Sequence, residues 1–186
     1  MLLQTKRLFL RPVQPNDAEA MFVARGDPEV MRYWDFPAQK DAAQVRRIIR
    51  NHRGEMGRGE TCWWVVALTP RGEAIGECDL SDIDPHHRRA EIGFLFRREA
   101  WGRGYAFEAA ERAIRFATED LELQRLSARC HAGNDASRRL LKRLGFEYEG
   151  CLKGYVLRDG ERRDCLLFGR SLGASPKVNQ SAPSSS

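Results

Sequence analysis

The sequence predicts an α/β domain of the α+β kind: a central mixed, mostly antiparallel, twisted sheet of about six or seven strands with about four helices. Three observations predict it. Short apolar runs bounded by turn residues recur along the 186 residues, as half-buried strands do. Four other segments carry apolar residues at helical spacing. One strand–helix–strand succession in the second half of the chain requires a crossover, right-handed by the sterics of twisted sheets, which makes one strand pair parallel.

Taken in order, Arg7-Leu8-Phe9-Leu10-Arg11 alternates apolar and polar residues, and Pro12 and Pro15 close the strand. Asn16 with Glu19 three positions on has capping-box spacing, and Ala18, Met21 and Phe22 share a helical face that ends at Gly26. A second helix is expected over 42–52 on the stripe Val45, Ile48 and Ile49. Residues 62–68 and 74–80 read as a strand pair around the turn Thr69-Pro70-Arg71-Gly72-Glu73, with 89–96 as a third strand. A long helix over about 104–119 presents Ala106, Ala109, Ala110, Ala113, Ile114 and Ala117 to one side. A strand at 125–130 follows, then a helix over about 135–144. Asn134 is its N-cap, Ala136, Leu140, Leu141 and Leu144 its buried face, and Gly145 the residue past its end. Strands at 146–155 and 165–171 complete the sheet. One domain over 1–173 is expected, and 174–186, Ser/Pro-rich and nearly free of apolar residues, reads as a disordered tail.

The composition narrows the function classes. A hydrophobic fraction of 42% supports a core in one domain of this length. The net charge of +5 suits an anionic ligand but is too mild to argue for nucleic acid, and no aromatic-plus-basic motif supports a nucleic-acid partner. Five cysteines, odd in number and without CxxC spacing, argue against a disulfide framework and against a metal cluster. No run approaches a membrane span and no secretory signal is visible, so a reduced, cytoplasmic protein is the expectation.

The most informative segment is Arg97-Arg98-Glu99-Ala100-Trp101-Gly102-Arg103-Gly104-Tyr105-Ala106, between the strand Ile92-Gly93-Phe94-Leu95-Phe96 and the long helix. A glycine turn entering a helix is an anion site, because the first helical N–H groups lack partners and the helix dipole adds positive charge. Gly102 and Gly104 permit close approach of the backbone, and Arg97, Arg98 and Arg103 add fixed charge. The chain has no Walker A run. Phe107 stands where a Rossmann fingerprint needs its third glycine.

Trp101-Gly102-Arg103-Gly104-Tyr105-Ala106-x-Glu108-Ala109 instead resembles the acetyl-CoA pyrophosphate loop of the GNAT superfamily of N-acetyltransferases, in its RimJ/RimL-like (ribosomal-protein-alanine N-acetyltransferase-like) branch. Glu91-Ile92-Gly93-Phe94 is similar to the family's fourth strand, and Asn134-x-x-Ser137-x-x-Leu140-Leu141-x-x-Leu144-Gly145-Phe146 to the segment after its fifth. Glu149-Gly150, Asp164 and the opening Thr5-x-Arg7-Leu8-x-Leu10-Arg11 also match the branch, so the resemblance spans about residues 5–171. Glu99 departs from the Gln or Arg common in the wider superfamily, and its side chain is expected to point away from the ligand.

The resemblance implies the GNAT acyl-CoA N-acyltransferase fold and direct transfer of an acetyl group from acetyl-CoA to an amine through a ternary complex, with no metal. It implies cofactor contacts at Phe94, Leu95, Phe96, Gly102, Arg103, Gly104, Tyr105, Ala106, Phe107 and Asn134. A bulge near Gly93 would free the N–H groups of Phe94 and Phe96 for the pantetheine and for the carbonyl oxygen as it gains charge. Ser137 stands where the branch places the acid that protonates the thiolate, although serine is also common in a first helical turn. Tyr105 is a weaker acid candidate that fits equally well as a packing residue. Strand alternation puts Glu91 on the face opposite Ile92, Phe94 and Phe96, as a base or ammonium ligand in the acceptor cleft or as a half-exposed strand residue paired with an arginine such as Arg89 or Arg125. Cys130 reads as a small apolar strand residue. Tyr33 and Trp34 are the substrate-side residues, in the region that borders the acceptor in the family.

The acceptor is expected to be a small-molecule amine or a protein N-terminal α-amine. About a tenth of an α-amine is neutral at pH 7, against well below a thousandth of a lysine ε-amine. A homodimer is a family-level expectation. The alternative reading is a non-catalytic CoA-binding regulatory module.

Overall fold

The computed structural model describes residues 1–173, so the expected tail lies outside the described residues. Along the chain run β1 (Leu3–Gln4), β2 (Phe9–Pro12), α1 (Ala18–Arg25), α2 (Ala42–Arg58), β3 (Cys62–Ala67), β4 (Gly76–Asp84) and β5 (Arg89–Phe96). They are followed by α3 (Tyr105–Glu119), β6 (Arg125–His131), α4 (Asp135–Arg143), β7 (Glu147–Arg158) and β8 (Glu161–Ser171). The eight strands form one sheet in the order β1-β2-β3-β4-β5-β6-β8-β7, antiparallel throughout except for β5 and β6. The short β1, added to the edge by pairing Leu3 with Leu10, takes the sheet beyond the predicted six or seven strands.

Successive residues of a strand serve opposite faces. In β3, Trp64 and Val66 enter the main core under α3 and α4, while Trp63 and Val65 enter a second core under α1 and α2. Ala109, Ala110, Ala113 and Ala117 are fully buried in the main core, where short side chains let α3 lie close on the sheet. Among the described residues no helix is long and apolar enough to cross a membrane.

Several boundaries differ from those predicted, each for a physical reason. The Asn16–Glu19 capping box does not form. A 3₁₀ turn over Pro15–Asp17 precedes α1, where the Asp17 carboxylate accepts the Gln14 N–H at 2.8 Å and binds Arg11. Helix α2 runs six residues past 52, because Met56 extends its apolar stripe onto the second core and Gly59, at φ +75°, supplies the left-handed stop. β4 starts later than expected and continues through polar residues to Asp84, paired with Arg89 in β5. β7 and β8 meet in a two-residue turn, Asp159-Gly160, both at positive φ, closed by Arg158 and Glu161. That Asp-Gly signal accounts for the strand residues 156–158 and 161–164 that alternation alone left out. Asn134 and Gly145 behave as predicted: the Asn134 side chain accepts the Ser137 N–H at 3.1 Å, and Gly145 sits at φ +78°.

Candidate active site

The site originates where two parallel strands part. β5 and β6 pair only from Arg89 with Arg125 to Glu91 with Ser127, after which β6 continues beside β8 alone. The Ser127 hydroxyl donates to the Ala90 carbonyl and Arg125 N–H to the Arg88 carbonyl, so the polar backbone groups of even-numbered β5 residues face β6. The N–H groups of Phe94 and Phe96 therefore face the opening. Its origin differs from the bulge expected at Gly93. β4 and β5 keep an unbroken register from Gly76–Phe96 to Ser81–Glu91, and the break falls between Ser81 and Asp84, with Asp82 at φ +49°. The Phe94 side chain packs against the main core and that of Phe96 lies within it. Leu95, grouped with them in the sequence, is turned away: its side chain joins Ala24, Val30 and Met31, and its backbone faces β4.

At the end of β5 the chain makes a 3₁₀ turn over Arg98–Ala100, and the exposed Trp101 donates its Nε1–H to the Phe96 carbonyl at 2.8 Å. Gly102 and Gly104 adopt φ of +71° and +76°, a left-handed backbone that favours glycine, and Gly104 is the N-cap of α3. The N–H groups of Tyr105, Ala106 and Phe107 thus lead a fifteen-residue helix from a turn free of side chains at both glycines. Arg103 and Glu99 are exposed, and Arg98 is committed to Asp27 at 2.7 Å.

A brace that sequence reasoning missed holds this turn. Arg7 donates to the Arg103 carbonyl at 3.1 Å, pairs with Glu108 at 2.6 Å and covers the Tyr105 ring at 4.8 Å. Thr5 also donates to Glu108. Burial would push the Glu108 carboxyl up, but the bonds from Thr5 and Arg7 hold it below its ordinary value. Arg143 covers the Phe107 ring in the same way. The only advance signal was Thr5-x-Arg7, visible as a strand pattern with no hint of its partner.

The opening widens into a cleft of about 1430 Å³ that the glycine turn does not line, with Arg25, Ile48 and His52 on its α1–α2 side and Cys130 and Leu141 on its α4 side. Asn134 and Ser137 stand at its α4 wall, and among the described residues no group engages the Ser137 hydroxyl. Tyr33 and Trp34 stand on the other side. The Tyr33 ring meets His131 edge-on at 6.5 Å, and Asp35 pairs with His131 Nε2 at 3.0 Å. Arg158 pins this aromatic segment, donating to the carbonyls of Met31, Trp34 and Phe36. Cys130 also lines the cleft, and burial pushes its thiol up to about 11, in keeping with an inert residue.

Glu91 lies in the cleft, but its partner is neither Arg89 nor Arg125. Arg89 pairs with Asp84 and Arg125 with Glu149. The parallel register sets Ser127 opposite Glu91, and Arg129, two residues on and on the same face, reaches both carboxylate oxygens at 2.9 and 3.0 Å. Behind Glu91 lies a second carboxyl that sequence reasoning missed, Asp79 of β4, opposite Gly93. Burial, and then the charge of Glu77, push the Asp79 carboxyl up to about 7, partly offset by Arg25. Arg25 and Glu77 form a buried ion pair at 2.7 Å beneath it, with the Arg25 guanidinium over the Trp63 ring. The alternation Glu77-x-Asp79-x-Ser81 was the available signal, since it puts two acids and a hydroxyl on one strand face.

Comparisons with known proteins bear on the fold and the family. The family model described as "Acetyltransferase (GNAT) domain" matches residues 7–147. The uncharacterized N-acetyltransferase p20 of Bacillus licheniformis is 32% identical over 166 residues, covering 89% of this chain and 93% of that protein. The [ribosomal protein uS5]-alanine N-acetyltransferase of Escherichia coli strain K12 is 40% identical over 96 residues, about half of each chain (51% and 50%). The structure of Mycobacterium smegmatis RimJ in complex with CoA-disulfide superposes with a TM-score of 0.80 at 26% identity, covering 88% of this chain and 81% of that one.

Proposed function

Because the chain belongs to the GNAT acetyltransferase family, we propose that it transfers an acetyl group from acetyl-CoA directly to a primary amine, a protein N-terminal α-amine or a small-molecule amine, within a ternary complex. One observation carries the reading: a side-chain-free, left-handed glycine turn at the head of α3 lies at one end of the β5–β6 opening, and a polar cleft lies at the other. The N–H groups of Tyr105, Ala106 and Phe107, with Arg103 beside them, suit the pyrophosphate of the co-substrate. The Phe94 and Phe96 N–H groups suit the pantetheine and the carbonyl oxygen as it gains charge, and Asn134 lines the adjoining cleft.

The amine enters past Tyr33 and Trp34, and its nitrogen attacks the thioester carbonyl. CoA leaves as a thiolate that the Ser137 hydroxyl protonates. Glu91, held by Arg129, serves as an anionic wall that attracts an ammonium. Catalysis in this scheme is chiefly the positioning of two substrates.

The test is thermal unfolding with and without saturating acetyl-CoA, with NADH and ATP as controls, followed by a screen of amine acceptors. A ligand at a hundred times its Kd adds about 2.7 kcal/mol, which for a chain of this length raises Tm by about 5–10 °C. A shift with acetyl-CoA alone, followed by turnover, supports the reading. A larger shift with NADH or ATP overturns it, and acetyl-CoA binding without turnover on any amine marks a cofactor-binding module instead.

A further inference from the structure

The acids of the cleft are not equivalent. Of those that line it, Glu91 is held by Arg129, Asp35 by His131, Asp84 by His87 and Arg89, and Glu60 by Arg58, and Glu55 lies 4.0 Å from His52 Nε2; Glu77, outside the lining, is held by Arg25. Asp82, which has no ion pair among the described residues, is exposed at the register break. Asp79 is half-buried and likewise makes no ion pair among the described residues; the Ser81 hydroxyl bonds to it.

Gly93 fixes where that carboxylate lies. The two residues are paired across β4 and β5, and a Cβ built on Gly93 would stand 2.6 Å from Asp79 Oδ1. The carboxylate therefore rests over the bare backbone of Gly93. On this face a side chain at position 93 would separate Asp79 from the opening between β5 and β6. Glycine removes it, leaving one strand spacing, about 4.8 Å, between β4 and the strand whose N–H groups line the opening.

We propose that Asp79 is the proton acceptor for the attacking amine, taking a proton from the acceptor's ammonium group across Gly93. The inference rests on the acetyltransferase reading given above. The carboxylate receives one N–H proton, leaving a neutral amine and a carboxylic acid. The nitrogen lone pair forms the N–C bond at the thioester carbonyl, and the C–S bond breaks as the tetrahedral adduct collapses. The second proton lost by the nitrogen passes to the departing thiolate through Ser137, and Asp79 returns its proton to water. The sum is ammonium plus thioester giving amide, thiol and one released proton.

The surroundings suit the task. Glu77 on the same strand and Glu91 on β5 disfavour the ionised form, Arg25 from α1 favours it, and burial outweighs each of them. Arg129 of β6 is engaged by Glu91, and His52 of α2 faces the same cleft beside Trp63. A proton acceptor is most effective when its pKa lies near the working pH.

The experiment uses the full chain and compares wild type, Asp79→Asn, Asp79→Glu and Gly93→Ala. The acceptors are the alkyl amine and the free-N-terminus peptide that the wild-type protein acetylates fastest. Acetyl-CoA affinity is measured by calorimetry, and kcat and kcat/KM are followed across pH 6–9. Asp79→Asn is expected to lose about 10²–10³-fold in kcat at pH 7, more for the alkyl amine, with acetyl-CoA affinity unchanged. It also loses the limb in which wild-type kcat/KM rises with pH through about 7. Asp79→Glu keeps that limb, and Gly93→Ala lowers kcat because the new methyl displaces the carboxylate. An Asp79→Asn protein with wild-type kcat and an intact limb overturns the proposal while leaving the acetyltransferase reading standing. A wild-type profile with no limb near pH 7 also overturns it, whatever the fate of the variants. A wild-type protein that neither binds acetyl-CoA nor acetylates any amine defeats the underlying reading instead.

Discussion

Asp79 combines a functional placement with a thermodynamic cost, and the two are separable by pH. Its carboxyl is raised from near 4 to about 7 in the folded chain, so folding favours the protonated form. The sign follows from linkage. The stability associated with this group is fully present below about pH 4 and is lost as pH rises through about 7, where the fold holds an ionised carboxylate beside Glu77 and Glu91. Asp79→Asn removes that penalty. The variant's Tm relative to wild type is expected to rise between pH 5 and pH 8, by about 2–4 °C for each kcal/mol recovered. Thermal unfolding of both proteins at the two pH values checks this, and a difference independent of pH contradicts it. Of the surroundings of Asp79, Glu77 and Ser81 were legible from strand alternation, whereas Gly93 and Arg25 reach it only through strand pairing and helix packing. Asn134 and Ser137 were legible, because a cap and the N–H it accepts are three residues apart on one backbone.

Among the elements, α3 opens at the glycine turn proposed to receive the pyrophosphate, in a left-handed backbone that glycine adopts without strain. Gly104 holds φ +76° at the N-cap, where a Cβ would meet Arg7 Nη2 at an ordinary 3.5 Å, so the obstacle to a side chain is the left-handed backbone itself. A β-branched residue strains this backbone and covers the path of the pyrophosphate to the helical N–H groups. Gly104→Val is expected to weaken acetyl-CoA binding by at least about tenfold, or 1.4 kcal/mol, and to lower Tm. Calorimetric titration with acetyl-CoA measures it, and undiminished affinity removes the turn from the cofactor site. The turn itself was readable because two glycines, a strand before them and an alanine-striped helix after them are contiguous. Its brace was not, since Glu108 meets Thr5 and Arg7 only after the sheet has brought the first strand beside α3.

At the scale of the whole molecule, the cleft is assembled by contacts between distant parts of the chain. Arg158 at the end of β7 donates to carbonyls 122 to 127 residues away, joining the last hairpin to the segment that carries Tyr33 and Trp34. Arg158→Ala leaves three carbonyls without this donor. It is expected to cost about 1–3 kcal/mol and to raise KM for the amine severalfold, with acetyl-CoA affinity unchanged. Tm and separate saturation curves for the two substrates check this, and a change confined to acetyl-CoA rules it out. The sequence by itself determined the four helices, most of the strands, the parallel crossover, the glycine turn and the Asn134–Ser137 cap. These follow from periodicity and from hydrogen bonds closed within a few residues. Only the tertiary structure decided that Glu91 faces Arg129, that β6 leaves β5 after Ser127, and that Asp79 lies bare over Gly93. Those facts depend on strand order and register, which are set by burying both faces of one sheet at once and leave no mark on any single stretch of the chain.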